Sequence, residues 1–368
     1  MVRRFLYLNG IAIICVILFH AGGMGFVAMF NWIDRYNPGL PPTEQIGSLP
    51  YYVLRFIEQI VIFAIPAFLI VSGYFISFAT GKNQETIKWR IIFSRIGYLI
   101  VPYLIWSAVA LGFLFIRGMS FTPVRTLEML LVGKTNEIYY YVPLLIQLYL
   151  ISPFLVRWAK RNWKSLLAVT GIIQIIAIST AYPMYLGKES TLTSTIAIFF
   201  PKWLFVTRIF WFSLGIVLGE RLAEFKKTFY PLRWILLGGA LLLIPVGMIE
   251  WETYFKLSGL PWLSTLDTLL DIPYELAIIF GILAFDKAKF PFFDRLSWLG
   301  TKSYGIYLIH GLVIEYVAKM IYRFLPRLLA YQVILQPVLI LLGLGIPLLL
   351  MMAFDKSPLR RFYTYIFG

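Results

Sequence analysis

The sequence predicts an all-α fold, a polytopic transmembrane helical bundle of about ten spans with both termini cytoplasmic. Two observations carry that prediction. Apolar runs of about 20 residues, the length that crosses a bilayer as a helix, recur from end to end. They do so in a chain of 368 residues that is 60% hydrophobic, with a mean hydropathy of +0.79. Between the runs, lysine and arginine fall mainly in alternate loops. No polar stretch is long enough for a separate soluble domain, so residues 1–368 read as a single integral membrane domain.

The first span is 5–30. MVRR precedes it like the start of a signal peptide, but the apolar run is too long and no small-residue cleavage site follows, which predicts a retained helix. The second is 52–79, where Pro66 is expected to loosen the helix and Ser72-Gly73 to leave room for backbone or ligand. The third is 91–117, opening on Arg90 and Arg95. Residues 122–138 then read as an amphipathic interfacial segment. The fourth and fifth, 139–157 and 165–185, flank the basic stretch Arg157, Lys160, Arg161 and Lys164. The remaining spans are 195–219, 233–251, 268–285, 302–325 and 331–354.

The net charge of +15 divides unevenly: 20 lysines and arginines lie in one set of loops and 8 in the other. The richer set includes Arg3, Arg4, Lys82, Lys160, Lys287, Lys289 and Lys302, and the positive-inside rule places it, with both termini, in the cytoplasm. No basic block carries interleaved aromatics, so the expected partner is membrane lipid and not nucleic acid. Trp and Tyr gather at span ends, as in an aromatic belt. The one cysteine, Cys15, excludes an internal disulfide and reads as a packing residue. Two histidines and one cysteine offer no metal cluster, and there is no phosphate-binding glycine loop or nucleophile elbow.

Ionisable groups are expensive in hydrocarbon and usually do a job there. His20 lies 15 residues beyond Phe5, about 22 Å along a helix. Glu58, about 9 Å below the outer edge of its own span, falls near the same level in a core about 30 Å thick. A glutamate orienting a histidine makes a general base. The plainer reading of Glu58 is an interhelical hydrogen-bond partner, and of His20 a satisfied core histidine. Arg90 and Arg95 suit an anionic ligand such as a pyrophosphate, or plain snorkelling to head groups. Gln147 is a buried polar group that needs a partner. His310, about 12 Å from its inner helix end, reads as shallower than His20, with either a structural or a catalytic role. Arg55, Arg208, Asp271, Glu275 and Glu315 are further charges within or near spans, unpaired by sequence alone.

Five blocks in order, LNGIAIICVILFH, IPAFLIVSGYF, SRIGYLIVPYLIWS, YYYVPLLIQLYLISPFL and SYGIYLIHGLVIEYV, resemble the acyltransferase-3 family of integral membrane O-acyltransferases. The resemblance covers essentially the whole chain. It implies transfer of an acyl group, usually acetyl, from acyl-CoA to a hydroxyl or amino group of a cell-envelope saccharide or small-molecule acceptor. It implies a multi-pass protein of the cell membrane, here a bacterial inner membrane. His20 matches the family's first-span histidine, as base or as acyl carrier. Arg95 matches the basic group at the start of the third span, a candidate for CoA phosphates. Ser72 and Tyr74 belong to the matching SGY block. The family often places a basic residue eleven positions before the histidine, and here that position is Asn9. Two other readings follow from the same residues: a transporter or flippase of a glycan or lipid-linked substrate, from the intramembrane charges, and a non-catalytic relative, from Asn9.

Overall fold

In the computed structural model, which describes residues 2–81, 83–260, 262–263, 267–285 and 290–368, the first span is one unbroken helix, α1 (Val2–Phe30). Lys82, Lys287 and Lys289 of the basic loops lie outside the described residues. A helix apolar on every side is one surrounded by others. Accordingly α2 (Leu49–Val61), α3 (Ala64–Thr80), α13 (Phe293–Thr301), α14 (Ser303–Phe324) and α15 (Gln332–Lys356) all pack against α1.

Ser48 caps α2 by accepting from the Tyr51 amide at 3.4 Å. The chain breaks at Ile62–Phe63, so Pro66 falls in the first turn of α3, where its missing N–H costs nothing. Helix α4 (Trp89–Ile116) follows, then α5 (Pro123–Val132), capped by Thr122 and ended by Gly133 in the left-handed conformation. Val124, Leu127 and Leu131 are exposed on this short helix, in keeping with an interfacial segment.

The fourth and fifth predicted spans form one helical run, α6 (Tyr141–Ser179), interrupted at Asn162, whose φ of −153° and ψ of 85° are not helical. Asn162 acts as the N-cap of the second half: its Oδ1 accepts from the Ser165 amide at 3.1 Å. A straight 39-residue helix would be about 58 Å long, nearly twice the thickness of a hydrocarbon core.

The sixth predicted span, 195–219, is not one helix. After α7 (Tyr182–Tyr185), α8 (Thr191–Ile198) buries nothing, and a stretch with Pro201 and only a short 3-10 turn at Phe205–Thr207 separates it from α9 (Ile209–Glu220). Gln147 from α6 holds that stretch, donating to the Trp203 carbonyl and accepting from the Phe205 amide. Arg208, at the start of α9, pairs with Asp267 at 2.6 Å. Proline and two basic residues cannot continue a helix through hydrocarbon, and the chain satisfies them in a turn instead.

Helix α10 (Leu222–Phe229) leads to α11 (Arg233–Ser258) and the short α12 (Asp271–Ala284). The chain ends with α16 (Tyr363–Phe367), whose Phe367 is buried among α4, α14 and α15. Among the described residues there is no strand, and seven helical runs are long and apolar enough to cross a membrane. The other predicted spans correspond to the second half of α6 and to α9 and α12, with 12 and 14 residues.

Two close approaches set the packing. At Gly10 a Cβ would overlap the Leu296 carbonyl, and at Gly300 it would overlap that of Leu6, so α13 lies directly against the first turns of α1. Gly73 and Gly215 bring α3 against α9 in the same way, through the carbonyls of Phe212 and Ile70.

Candidate active site

His20 and His310 meet. Their ring centroids are 5.3 Å apart, with the planes at 51°. Counting residues from each helix start predicts His310 to be shallower, and the structure corrects this. The first turns of α1 run alongside α13, while α14 starts only after α13 ends. Helix α14 therefore begins deeper than α1, and ten residues beyond Gly300 its histidine is level with His20.

His310 is completely buried. Its Nδ1 lies 2.8 Å from the Tyr307 carbonyl and 3.1 Å from that of Ile306. Carbonyl oxygens only accept, so Nδ1 carries the hydrogen and donates it. In the neutral ring Nε2 is then an acceptor, and it is buried with no partner among the described residues. Tyrosines wall the neighbourhood. The Tyr307 ring lies 6.0 Å from that of His310 and 5.6 Å from that of Tyr141. The Tyr307 hydroxyl donates to the Ile138 carbonyl, and Tyr139 donates to the Leu308 carbonyl at 2.6 Å. Sequence reasoning passed over these tyrosines, although YYYVP and SYGIY contain them, because aromatics near span ends read as belt residues.

Glu58 stands at the expected level but on another face. Gly25 of α1 touches Leu54, which puts Glu58, one turn further along the antiparallel α2, near Ala21. Its carboxylate pairs with Arg55 on α2 itself and helps line a small pocket with Gln59, Gly247, Glu250, Trp251, Thr268 and Asp271. This pocket lies between α2, α11 and α12, whereas the ring beside His20 is that of His310. Glu58 is thus committed to Arg55 on its own helix, and the imidazole that meets His20 is that of His310. Arg55 also stacks 3.6 Å from the Trp251 ring centroid, Gln59 donates to Asp271 at 3.2 Å, and Thr268 donates to Glu250 at 2.7 Å. Of the charges that sequence could not pair, Arg55 meets Glu58, Arg208 meets Asp267, Asp271 accepts from Gln59 and from the Thr268 amide, and Glu315 meets Lys319, so these charges have polar partners, as buried charges require.

Other predicted residues disperse. The room expected beside Ser72-Gly73 is filled by the α9 backbone. Ser72 bonds the Tyr141 hydroxyl, and Tyr74 stacks on Phe5 at 3.7 Å near the other end of the bundle. Gln147 is spent on the 203–205 turn and on the Pro143 carbonyl. Arg90 is exposed, and Arg95 donates to the Phe75 carbonyl at 3.2 Å. Asn9 lies eleven residues before His20, three helical turns and about 16 Å away on the same face of α1. Its Oδ1 is buried and has no partner among the described residues. Outside the spans, Asp267 is pushed up by burial, but Arg208 and Lys202 outweigh this and hold its carboxyl below the usual range.

The chain therefore brings together a half-buried histidine and a fully buried one with an uncommitted basic nitrogen, and holds an uncommitted amide oxygen below them. A family model described as an acyltransferase domain matches residues 5–355. No curated protein and no solved structure matches the chain.

Proposed function

Because the chain belongs to the acyltransferase-3 family, whose domain spans nearly all of it, we propose that it moves an acetyl or similar acyl group from acyl-CoA to a hydroxyl of a cell-envelope saccharide or related acceptor. The family makes the chain an acyltransferase, and its apolar helices make it a multi-pass membrane protein. The observation that carries the finer reading is the His20–His310 pair inside the bundle. Acyl transfer to a hydroxyl needs a base for its proton or a nucleophile that accepts the acyl group first, and imidazole serves either way. Burial of His310 among packed tyrosine rings limits the water that could compete for the acyl group.

The donor would approach from the inner end. Exposed Arg90, and the part of the Arg95 fork not bound to Phe75, are suited to its phosphates. The Asn9 oxygen is an acceptor, so it suits an amide N–H of the donor's pantetheine arm where a basic residue would suit a phosphate.

The test uses purified protein in nanodiscs with radiolabelled acetyl-CoA and envelope extract, following free CoA and label. Wild type should release CoA and label the extract, and His20→Ala should lower the rate about 100-fold or more. A wild type that binds no acetyl-CoA would overturn the reading. An active His20→Ala would remove the histidine from the chemistry.

A further inference from the structure

The uncommitted nitrogen of His310 carries an inference that rests on the acyl-transfer reading and deepens it. We propose that His310 is a second catalytic residue of this centre, whose Nε2 takes the proton from the acceptor hydroxyl.

Three observations converge. The ring is anchored: Nδ1–H is held by the carbonyls of Ile306 and Tyr307, which fixes both its orientation and its tautomer. The opposite nitrogen presents a lone pair that is buried and unpartnered among the described residues, on a side chain with no exposed surface. Buried acceptors are nearly always bonded, and one left open beside another imidazole is open to a substrate donor. Lastly, two neighbouring hydroxyls are committed elsewhere, Tyr307 donating to the Ile138 carbonyl and Tyr139 to that of Leu308. Neither is left to act as the base in place of the imidazole.

The step balances. The acceptor O–H bond breaks and its proton goes to Nε2 of His310. The oxygen forms a C–O bond with the acyl carbon. The bond from that carbon to its carrier breaks, whether the carrier is the CoA sulfur or a His20 nitrogen. His310 then returns the proton to the departing thiolate or imidazole. With its ring beside His310, His20 contacts the same reacting group. Its own duty, as carrier or as second base, does not alter the duty of His310.

His310→Asn tests this. Its amide N–H falls near the position of Nδ1 and keeps a donor for the two carbonyls, but it has no counterpart of Nε2. Full-length wild type and variant are compared in nanodiscs with radiolabelled acetyl-CoA and envelope extract. The expected result is a melting temperature and an acetyl-CoA affinity like wild type, with kcat lower by about 100-fold or more. A folded variant keeping more than about a tenth of wild-type kcat overturns the proposal, since a general base contributes at least tenfold more than that. A loss confined to KM overturns it too. His310→Gln, which reaches the Nε2 position but cannot take up a proton, is the second variant and should be equally slow. If neither variant folds, the ring is structural and the proposal falls. If wild type transfers no label, the acyl-transfer reading fails, and this inference fails with it.

Discussion

Glu58 shows how a residue's level and its direction are separate facts. Its depth follows from counting helical turns, but its partner follows from which face of α2 it occupies, and that face carries Arg55 and Gln59 toward α11 and α12. With both side chains nearly inaccessible, removing one partner leaves a buried charge uncompensated. Arg55→Met alone should destabilise the protein by about 3–5 kcal/mol, and the double change Arg55→Met with Glu58→Leu by much less. Thermal unfolding in nanodiscs measures both. The double variant should also retain acyl transfer, because the pair lines the pocket against α11 and α12; loss of activity with a normal melting temperature would put Glu58 in the site. His20 was legible as a candidate from its residue type and depth. The bond pattern of His310 was not, because a histidine in an apolar run has the same sequence whether or not its nitrogens are satisfied.

At the scale of elements, the apolar runs marked where helices lie, and the errors fall where polar chemistry interrupts them. The run 195–219 contains Pro201, Lys202 and Arg208, and breaks there. Glycines show a second kind of ambiguity. Gly73 beside Ser72 signals a missing side chain, but not whether a ligand or another helix uses the space. Here helix α9 uses it, with the Phe212 carbonyl where a Cβ would be. Gly73→Val should force α3 and α9 apart and lower stability by about 1–3 kcal/mol, the cost of overpacking a tight interface. Gly22→Val, where a Cβ meets no atom within 4 Å, is the control. If the two variants melt alike, close packing at Gly73 does not hold these helices together.

For the whole molecule, the loops rich in lysine and arginine gather through their own contacts: Arg3 pairs with Asp294, and Lys160 reaches Glu220 at 3.8 Å and the Gly81 carbonyl at 3.1 Å. The poorer loops do likewise, with Arg35 over the Tyr322 ring and Arg117 on Glu315 at 3.4 Å. Both termini are expected in the cytoplasm. A Cys15→Ala background, with single cysteines at Gly39 or at Ser357, should then react with a membrane-impermeant thiol reagent from outside only at position 39; the reverse pattern would invert the topology. From the order of residues alone follow the class of molecule, the approximate position of most helices and His20 as a candidate. Those depend on local quantities: the cost of hydrocarbon for a charge or a bare peptide group, and the length of helix that spans it. Which ionisable groups meet follows from packing alone. Helix offsets, such as α13 lying beside the first turns of α1, set the relative depths of residues 290 positions apart, and the azimuth of each face sets their partners. Neither is written in any one segment, because both are fixed by the packing of several helices at once.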